Sequence, residues 1–170
     1  MKIAVLNGSP RSKQNTSAII GAFCDGAEAA GHTCAVLHVG KMRIGGCIGC
    51  EYCHNKGNGN CVLKDDFQKV LPAYKECDMI VFASPLYYLG ITSKLQAAIE
   101  RIYCIGKPPK ATKAALLLTS AAGAYEGPIA QYNNYIEFAG LEDMGVFTAT
   151  GDENKSEAKL AELKAFGESL

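Results

Sequence analysis

Short apolar runs and amphipathic stretches take turns along this chain five times, and that alternation limits the fold more than any single motif does. Ile3 to Leu6 is a first run, with the unbroken apolar character of a fully buried strand. Residues 16 to 30 follow with Ile19, Ile20, Phe23 and Ala27 on one helical face, and Gly31 ends the helix. Strands are expected again at 33–39, 79–83, 114–119 and, more weakly, 145–149. Helices are expected behind them from Phe67 onward, over 92–103, near 128–139 and over 156–166. Asp65 and Asp66 stand where the positive end of a helix favours acid. The pattern predicts an α/β fold, a doubly wound five-stranded parallel sheet with helices on both faces. It reads as one domain over residues 1–170, with a Cys-rich loop at 45–63. Sheets of this kind bind ligands outside the carboxyl ends of their strands, at the switch point. The loops after strands one, three and four therefore carry the functional information.

The first of these is LNGSPRSKQNT, residues 6 to 16. It has neither the G-x-G-x-x-G of a dinucleotide fold nor the G-x-x-x-x-G-K-[ST] of a nucleotide hydrolase. No cysteine precedes Cys24, which excludes a phosphatase nucleophile in this loop. What it offers is hydroxyls (Ser9, Ser12, Thr16), amides (Asn7, Gln14, Asn15) and Arg11, leading into a helix N-terminus. Backbone N–H groups and the helix dipole favour an anion there, and a guanidinium can pair with it in bidentate fashion. The competing reading is an ordinary strand-to-helix turn with a Ser or Asn cap.

The third loop, SPLYYLGITSKLQAAIER from residue 84 to 101, begins where a strand should end. Pro85 stiffens it, Gly90 permits close backbone approach, and Leu86, Tyr87 and Tyr88 place large groups where a flat ligand or a partner subunit could lie. Together with NGSPRSKQNT, this segment resembles the NADPH-dependent FMN reductase families of flavodoxin-like fold, in register over residues 1 to about 103. The resemblance implies that Ser9, Arg11, Asn15 and Thr16 hold the FMN phosphate. It implies that Pro85, Leu86, Tyr87, Tyr88, Gly90 and Ile91 line the isoalloxazine. The third flavin-contacting loop would then be residues 120–125, with Ser120 and Gly123 in contact. Gln14 departs from the family, which usually has a small residue there.

Charge is balanced, with 17 basic and 17 acidic residues, which argues against a nucleic-acid or acidic-membrane surface. The first apolar run is too short for a signal peptide or a span, so the expectation is a cytoplasmic protein with reduced thiols. Eight cysteines then need another explanation than disulfides. Cys47, Cys50, Cys53 and Cys61 follow a C-x2-C-x2-C-x7-C spacing, and C-x2-C-x2-C is the spacing of bacterial ferredoxins. Gly45, Gly46 and Gly49 are expected to let backbone N–H groups turn toward the sulfurs. The motif and its position resemble the iron–sulfur flavoproteins, a branch of the same flavin family, which implies a 4Fe-4S cluster. Two alternatives stay open. Zinc usually brings together two separated pairs, with His54 available as a substitute ligand; or the cysteines are thiols of a lid or interface loop that holds no metal. Cys24, Cys34, Cys77 and Cys104 read as small hydrophobes of the core or of element ends, and His32 and His38 as structural or exposed.

These readings lead to an FMN-dependent oxidoreductase in which the flavin carries the chemistry, and no catalytic acid, base or nucleophile is demanded. The first hypothesis is electron transfer between FMN and the cluster, with ferredoxin or a small-molecule acceptor as redox partner. The second is a cluster-free reductase that uses NAD(P)H as donor and acts on quinones, nitro compounds or flavins. A third, non-enzymatic thiol-regulated or metal-binding domain predicts no tightly held flavin. Reductases of this resemblance assemble as homodimers or homotetramers, which Tyr87, Tyr88 and Tyr125 would suit if exposed.

Overall fold

The computed structural model describes all 170 residues. Five strands form one sheet: β1 (Lys2–Asn7), β2 (Thr33–Leu37), β3 (Met79–Pro85), β4 (Lys113–Ser120) and β5 (Glu142–Thr150). Every pairing is parallel and the spatial order is β2-β1-β3-β4-β5. The helices are α1 (Asn15–Ala29), α2 (Tyr52–Asn55), α3 (Phe67–Glu76), α4 (Ser93–Ile102), α5 (Glu126–Ala139) and α6 (Glu157–Glu168), with single 3-10 turns after β2, α4 and β5. None of these helices is long and apolar enough to cross a membrane.

Strand residues alternate between two cores because successive side chains point to opposite faces. Ala4, Leu6, Ile80, Phe82, Leu116 and Leu118 join the layer of α3, α4 and α5. Ile3, Val5, Met79, Val81, Ala115 and Leu117 join the layer of α1 and α6. That second layer is closed by glycine. A Cβ on Gly26 would lie 2.0 Å from the Lys164 carbonyl oxygen, and one on Gly167 would lie 2.3 Å from that of Phe23. The two helices therefore touch backbone to backbone.

The expected elements are all present, and the differences are local. β5 starts at Glu142 rather than Gly145, because Glu142 and Asp143 are exposed and charged and give no apolar signal. Its register against β4 shifts between Ala114 and Leu116. The segment without periodicity, 40–63, contains only a 3-10 turn and the single helical turn α2. Strand order reverses between β1 and β3, and the carboxyl ends of these two strands open the crevice into which the first and third loops project.

Candidate functional site

β1 ends at Asn7, which is buried and makes the first loop turn: its Oδ1 accepts the Ser9 N–H at 2.9 Å. The Gly8 N–H donates to the Ala83 carbonyl of β3 at 2.8 Å, and the Gly8 carbonyl accepts the Thr92 hydroxyl at 2.8 Å. The Arg11 N–H donates to Ser9 Oγ at 3.2 Å, folding the loop back over the start of α1. That helix has Gln14 at its N-cap with no side-chain cap bond, and its first turn holds no acidic residue. Its leading N–H groups and its dipole are thus left for an external anion.

Around this end lies a cleft of about 330 Å³. Ser9, Arg11, Asn15 and Thr16 line it from the first loop, Pro85, Leu86 and Tyr87 from the third, and Ser120 from the loop after β4. Thr16 and Thr119 bridge the two sides with a buried hydroxyl–hydroxyl bond of 2.8 Å. The donor set fits a phosphate monoester carrying a polyol, because it supplies hydroxyls, amides, one guanidinium and a helix N-terminus, with no carboxylate among the lining residues.

The remaining expected flavin contacts lie elsewhere. Tyr88 and Leu89 form the tip of a two-residue turn closed by Tyr87 N–H to the Gly90 carbonyl at 2.9 Å. Both have positive φ, 49° and 69°, and Tyr88 is fully exposed. Gly90 closes the turn, while Ile91 faces a small apolar cavity with Phe82, Leu95 and Tyr132. Gly123 takes φ 86° and donates its N–H to Ser120 Oγ at 2.8 Å. Tyr125 is half-buried rather than exposed, since its hydroxyl donates to the Ala149 carbonyl at 2.5 Å and meets Ser120 Oγ at 2.7 Å. It anchors the loop after β4 to the end of β5.

The cleft also contains a residue that the sequence did not single out. Asn154, in the turn after β5, is 2% exposed and donates through Nδ2 to the carbonyls of Ser120 (2.8 Å) and Gly151 (2.6 Å). Its Oδ1 is buried without a partner. Both neighbours of the amide nitrogen are acceptors, which fixes the amide orientation. An unpaired acceptor beside a polar cleft suits a ligand that brings hydroxyl donors.

On the other side of α4 lies the cysteine loop. Cys53 is buried, Cys61 half-buried, and Cys47 and Cys50 exposed. All four line one cavity of about 20 Å³, room for roughly one water. Cys104, expected to be a core residue, is buried but belongs to this same cavity. Burial pushes the Cys53 thiol up, and burial together with Cys53 and Cys61 pushes Cys104 up to about 11. No three His, Cys, Asp or Glu side chains are gathered closely enough to hold a single metal ion. The donor chemistry, four soft thiols of which two are exposed, fits an iron–sulfur cluster, whose thiolates stand further apart than those around one ion, and the cavity of about 20 Å³ would have to widen to hold one. His54 is exposed and tied to Tyr103, through Nε2 to its carbonyl oxygen at 3.0 Å and by an edge-on ring contact with centroids 4.6 Å apart.

Gly45 and Gly46 of this loop meet carboxylates, while Gly49 takes φ 64° with open space beside it. The Gly45 N–H donates to Asp65 Oδ2 at 3.1 Å, and Gly46 lets Glu100 approach, since a Cβ there would lie 2.8 Å from its carboxylate. Glu100 then accepts the Cys47 N–H at 3.2 Å. Asp65 and Asp66 likewise hold the loop: Asp66 accepts the Arg43 N–H at 2.8 Å, and Asp65 pairs with Arg101 at 2.7 Å. Burial pushes the Asp65 carboxyl up, but the Arg101 guanidinium and the N–H groups of Gly45 and Phe67 outweigh it and hold it below the ordinary range.

Residues 1–151 match the sequence profile of the NADPH-dependent FMN reductases. The chain belongs to that family. An Archaeoglobus fulgidus protein named iron–sulfur flavoprotein is 31% identical over 132 residues, 78% of this chain and 54% of its own. A Methanocaldococcus jannaschii protein of the same name is 30% identical over 101 residues, 59% of this chain and 51% of its own. The chain thus spans about half the length of these curated relatives. Among solved structures, an NAD(P)H:quinone oxidoreductase from Methanothermobacter marburgensis superposes with a TM-score of 0.76 at 20% identity, covering 99% of this chain and 95% of its own. That likeness shows the shared flavodoxin-like fold.

Proposed function

We propose that this chain is a flavin-dependent oxidoreductase that binds FMN at the β1/β3 switch point and exchanges electrons between it and a 4Fe-4S cluster held by Cys47, Cys50, Cys53 and Cys61. The observation that carries the flavin reading is the cleft at the uncapped, acid-free N-terminus of α1. The names of the curated relatives and four thiols around one cavity support the cluster. When bound, FMN supplies two-electron hydride chemistry and one-electron steps, and the cluster supplies one-electron steps only.

The protein's own part is binding, orientation and exclusion of water. Arg11, Ser9, Asn15, Thr16 and the first N–H groups of α1 hold the phosphate. Asn154, whose Oδ1 is buried at the cleft without a partner, would accept a hydroxyl of the cofactor's polyol. Pro85, Leu86 and Tyr87 present backbone and apolar surface to the ring, with the tip Tyr88–Gly90, Ile91 and Gly123 shaping the loops behind it. NAD(P)H is the proposed donor and ferredoxin or a small-molecule acceptor the redox partner. The exposed Tyr87 and Tyr88 suit the interface of a homodimer or homotetramer in the cytoplasm.

The second reading, a cluster-free NAD(P)H-dependent reductase of quinones, nitro compounds or flavins, is favoured by the small, closed cysteine cavity. An absorption spectrum of anaerobically purified protein, with iron and acid-labile sulfide assayed on the same sample, separates the two. Flavin bands with a broad shoulder and about four irons per chain are expected. Flavin bands alone select the reductase, and a protein without flavin overturns both.

A further inference from the structure

Arg101 is 1% exposed, the most deeply buried charge in the protein. It stands on the face of α4 that carries Leu95 and Ala98, where the helical period asks for an apolar side chain. A guanidinium buried there must be paired to be tolerated. Its two terminal nitrogens are fully engaged. Nη1 donates to the Gly45 carbonyl at 3.0 Å and to Asp65 Oδ2 at 2.7 Å. Nη2 donates to the Leu63 carbonyl and to Asp65 Oδ1, each at 3.3 Å. The Phe67 ring lies 4.9 Å from the guanidinium carbon. The fork therefore joins the limb just before Cys47 to the limb just after Cys61.

The third nitrogen is different. Arg101 Nε is buried with no partner, and Arg101 lines the cavity of the five cysteines. An orphan buried donor is uncommon in a folded protein and indicates an acceptor outside the protein's own hydrogen bonds. Sulfur, in a thiolate or a cluster, is the acceptor class that this cavity presents, and Cys61 is among the residues that line it beside Arg101.

We propose that Arg101 is the positioning residue of the cysteine site: it clamps both limbs of the 45–63 loop so that Cys47 and Cys61 face one cavity, and keeps its Nε–H for the sulfur that Cys61 brings there. The clamp stands on geometry alone, whereas the sulfur acceptor rests on the cluster reading above. The same helix is capped by Thr92, whose hydroxyl donates to the Gly8 carbonyl of the phosphate loop. One helix thus ties the cysteine loop to the flavin cleft.

Arg101→Lys keeps the charge but loses the fork, and Arg101→Gln removes both. Each is prepared anaerobically, reconstituted with ferric iron, sulfide and excess thiol reductant, and checked for retained FMN and far-UV circular dichroism. Hydrogen exchange of residues 43–48 and 61–65 reads the clamp. Iron release to a ferrous chelator and the reduction potential of the bound iron read the donor. Both limbs are expected to exchange at least tenfold faster in both variants, with iron lost at least tenfold faster, the size seen when groups that orient metal ligands are removed. The potential is expected to fall in Arg101→Gln and to fall less in Arg101→Lys. Unchanged exchange in both limbs overturns the clamp. Wild-type protein that takes up iron, beside an Arg101→Gln protein that keeps it at the same rate and potential, overturns the donor role while the cluster reading stands. Wild-type protein that takes up no iron overturns the cluster reading and the donor role with it, and the exchange measurement still decides the clamp. If Arg101→Gln does not fold, Asp65→Asn, which leaves the arginine in place and loosens its fork, is expected to speed exchange in the same two limbs, and its failure to do so overturns the clamp.

Discussion

The phosphate loop and the cysteine loop both lean on α4, one at its start and the other at its end, and they are held by different chemistry. The phosphate loop is fixed by its backbone: Gly8 bonds to β3 and to Thr92, and Gly40 packs so closely that a Cβ there would lie 2.4 Å from the Gly8 carbonyl oxygen. The backbone bonds of the cysteine loop run within the segment itself, and it is tied to α4 by side chains, Lys94, Glu100 and Arg101, with Asp65 as the arginine's partner. A site fixed by backbone packing is in place before its ligand arrives and is indifferent to protonation. A site fixed by ionised side chains depends on charge, on pH and on its occupant.

Removing the carboxylate that holds the Arg101 fork tests this contrast most severely. Asp65→Asn is expected to cost up to about 3 kcal/mol, because a buried guanidinium loses its counter-charge while Asp65 keeps part of its side chain in solvent. The loss should appear as faster exchange over 43–65 and a lower denaturation midpoint, with FMN affinity within a few-fold of the parent. A matching loss of FMN affinity would show that the two loops are not independently held.

The converse change is Gly40→Ala. The added methyl meets backbone at Gly8 and Ser9, and overpacking of this kind costs roughly 1–3 kcal/mol. FMN affinity is expected to fall about ten- to a hundredfold by fluorescence titration, at about 1.4 kcal/mol per tenfold. Exchange in the cysteine loop should not change, and wild-type affinity would disprove the tight seating of the phosphate loop.

At the rim of the cleft, Tyr88 and Leu89 occupy left-handed positions that a tight hairpin turn normally gives to Asn and Gly. The double change Tyr88→Asn with Leu89→Gly should add about 1–2 kcal/mol of stability, or a few degrees in Tm. An accompanying drop in flavin affinity would show that the strained tip touches the ligand, and an unchanged Tm would show that the turn carries no strain.

The smallest effect comes from pH. The Asp65 carboxyl is held below the ordinary range, so its contribution is present above about pH 4 and is lost as pH falls through the lowered value. Protection factors over 43–65 should stay level from pH 8 to about 5 and fall only in acid, before those of the first loop. A fall between pH 7 and 6 would assign the loop's hold to another group.

The strands and helices were legible because the core-facing residues repeat at the two periods that secondary structure imposes, as in Ile19, Ile20, Phe23 and Ala27 of α1. The polar first loop and the aromatic third loop were legible because their residue types are out of place in a plain turn, and Ser9, Arg11, Asn15, Thr16, Pro85, Leu86, Tyr87 and Ser120 do meet at one cleft. Tyr88 and Tyr125 show the limit: both are tyrosines in loops, yet one stands wholly in solvent and the other is tied down by its hydroxyl. Arg101 did leave a trace, a charge on the apolar face of an amphipathic helix, but its meaning needed partners 36 and 56 residues away. Cys104 and Asn154 left none. By itself, then, the sequence determined the alternating α/β framework, the loops that carry chemistry and the spacing of the four clustered cysteines, since each depends on neighbours within a few turns of chain. Tertiary structure alone decided which loop residues face the cleft, that a fifth thiol shares the cysteine cavity, and that one buried arginine joins both limbs of that loop, because those facts depend on contacts between residues far apart along the chain.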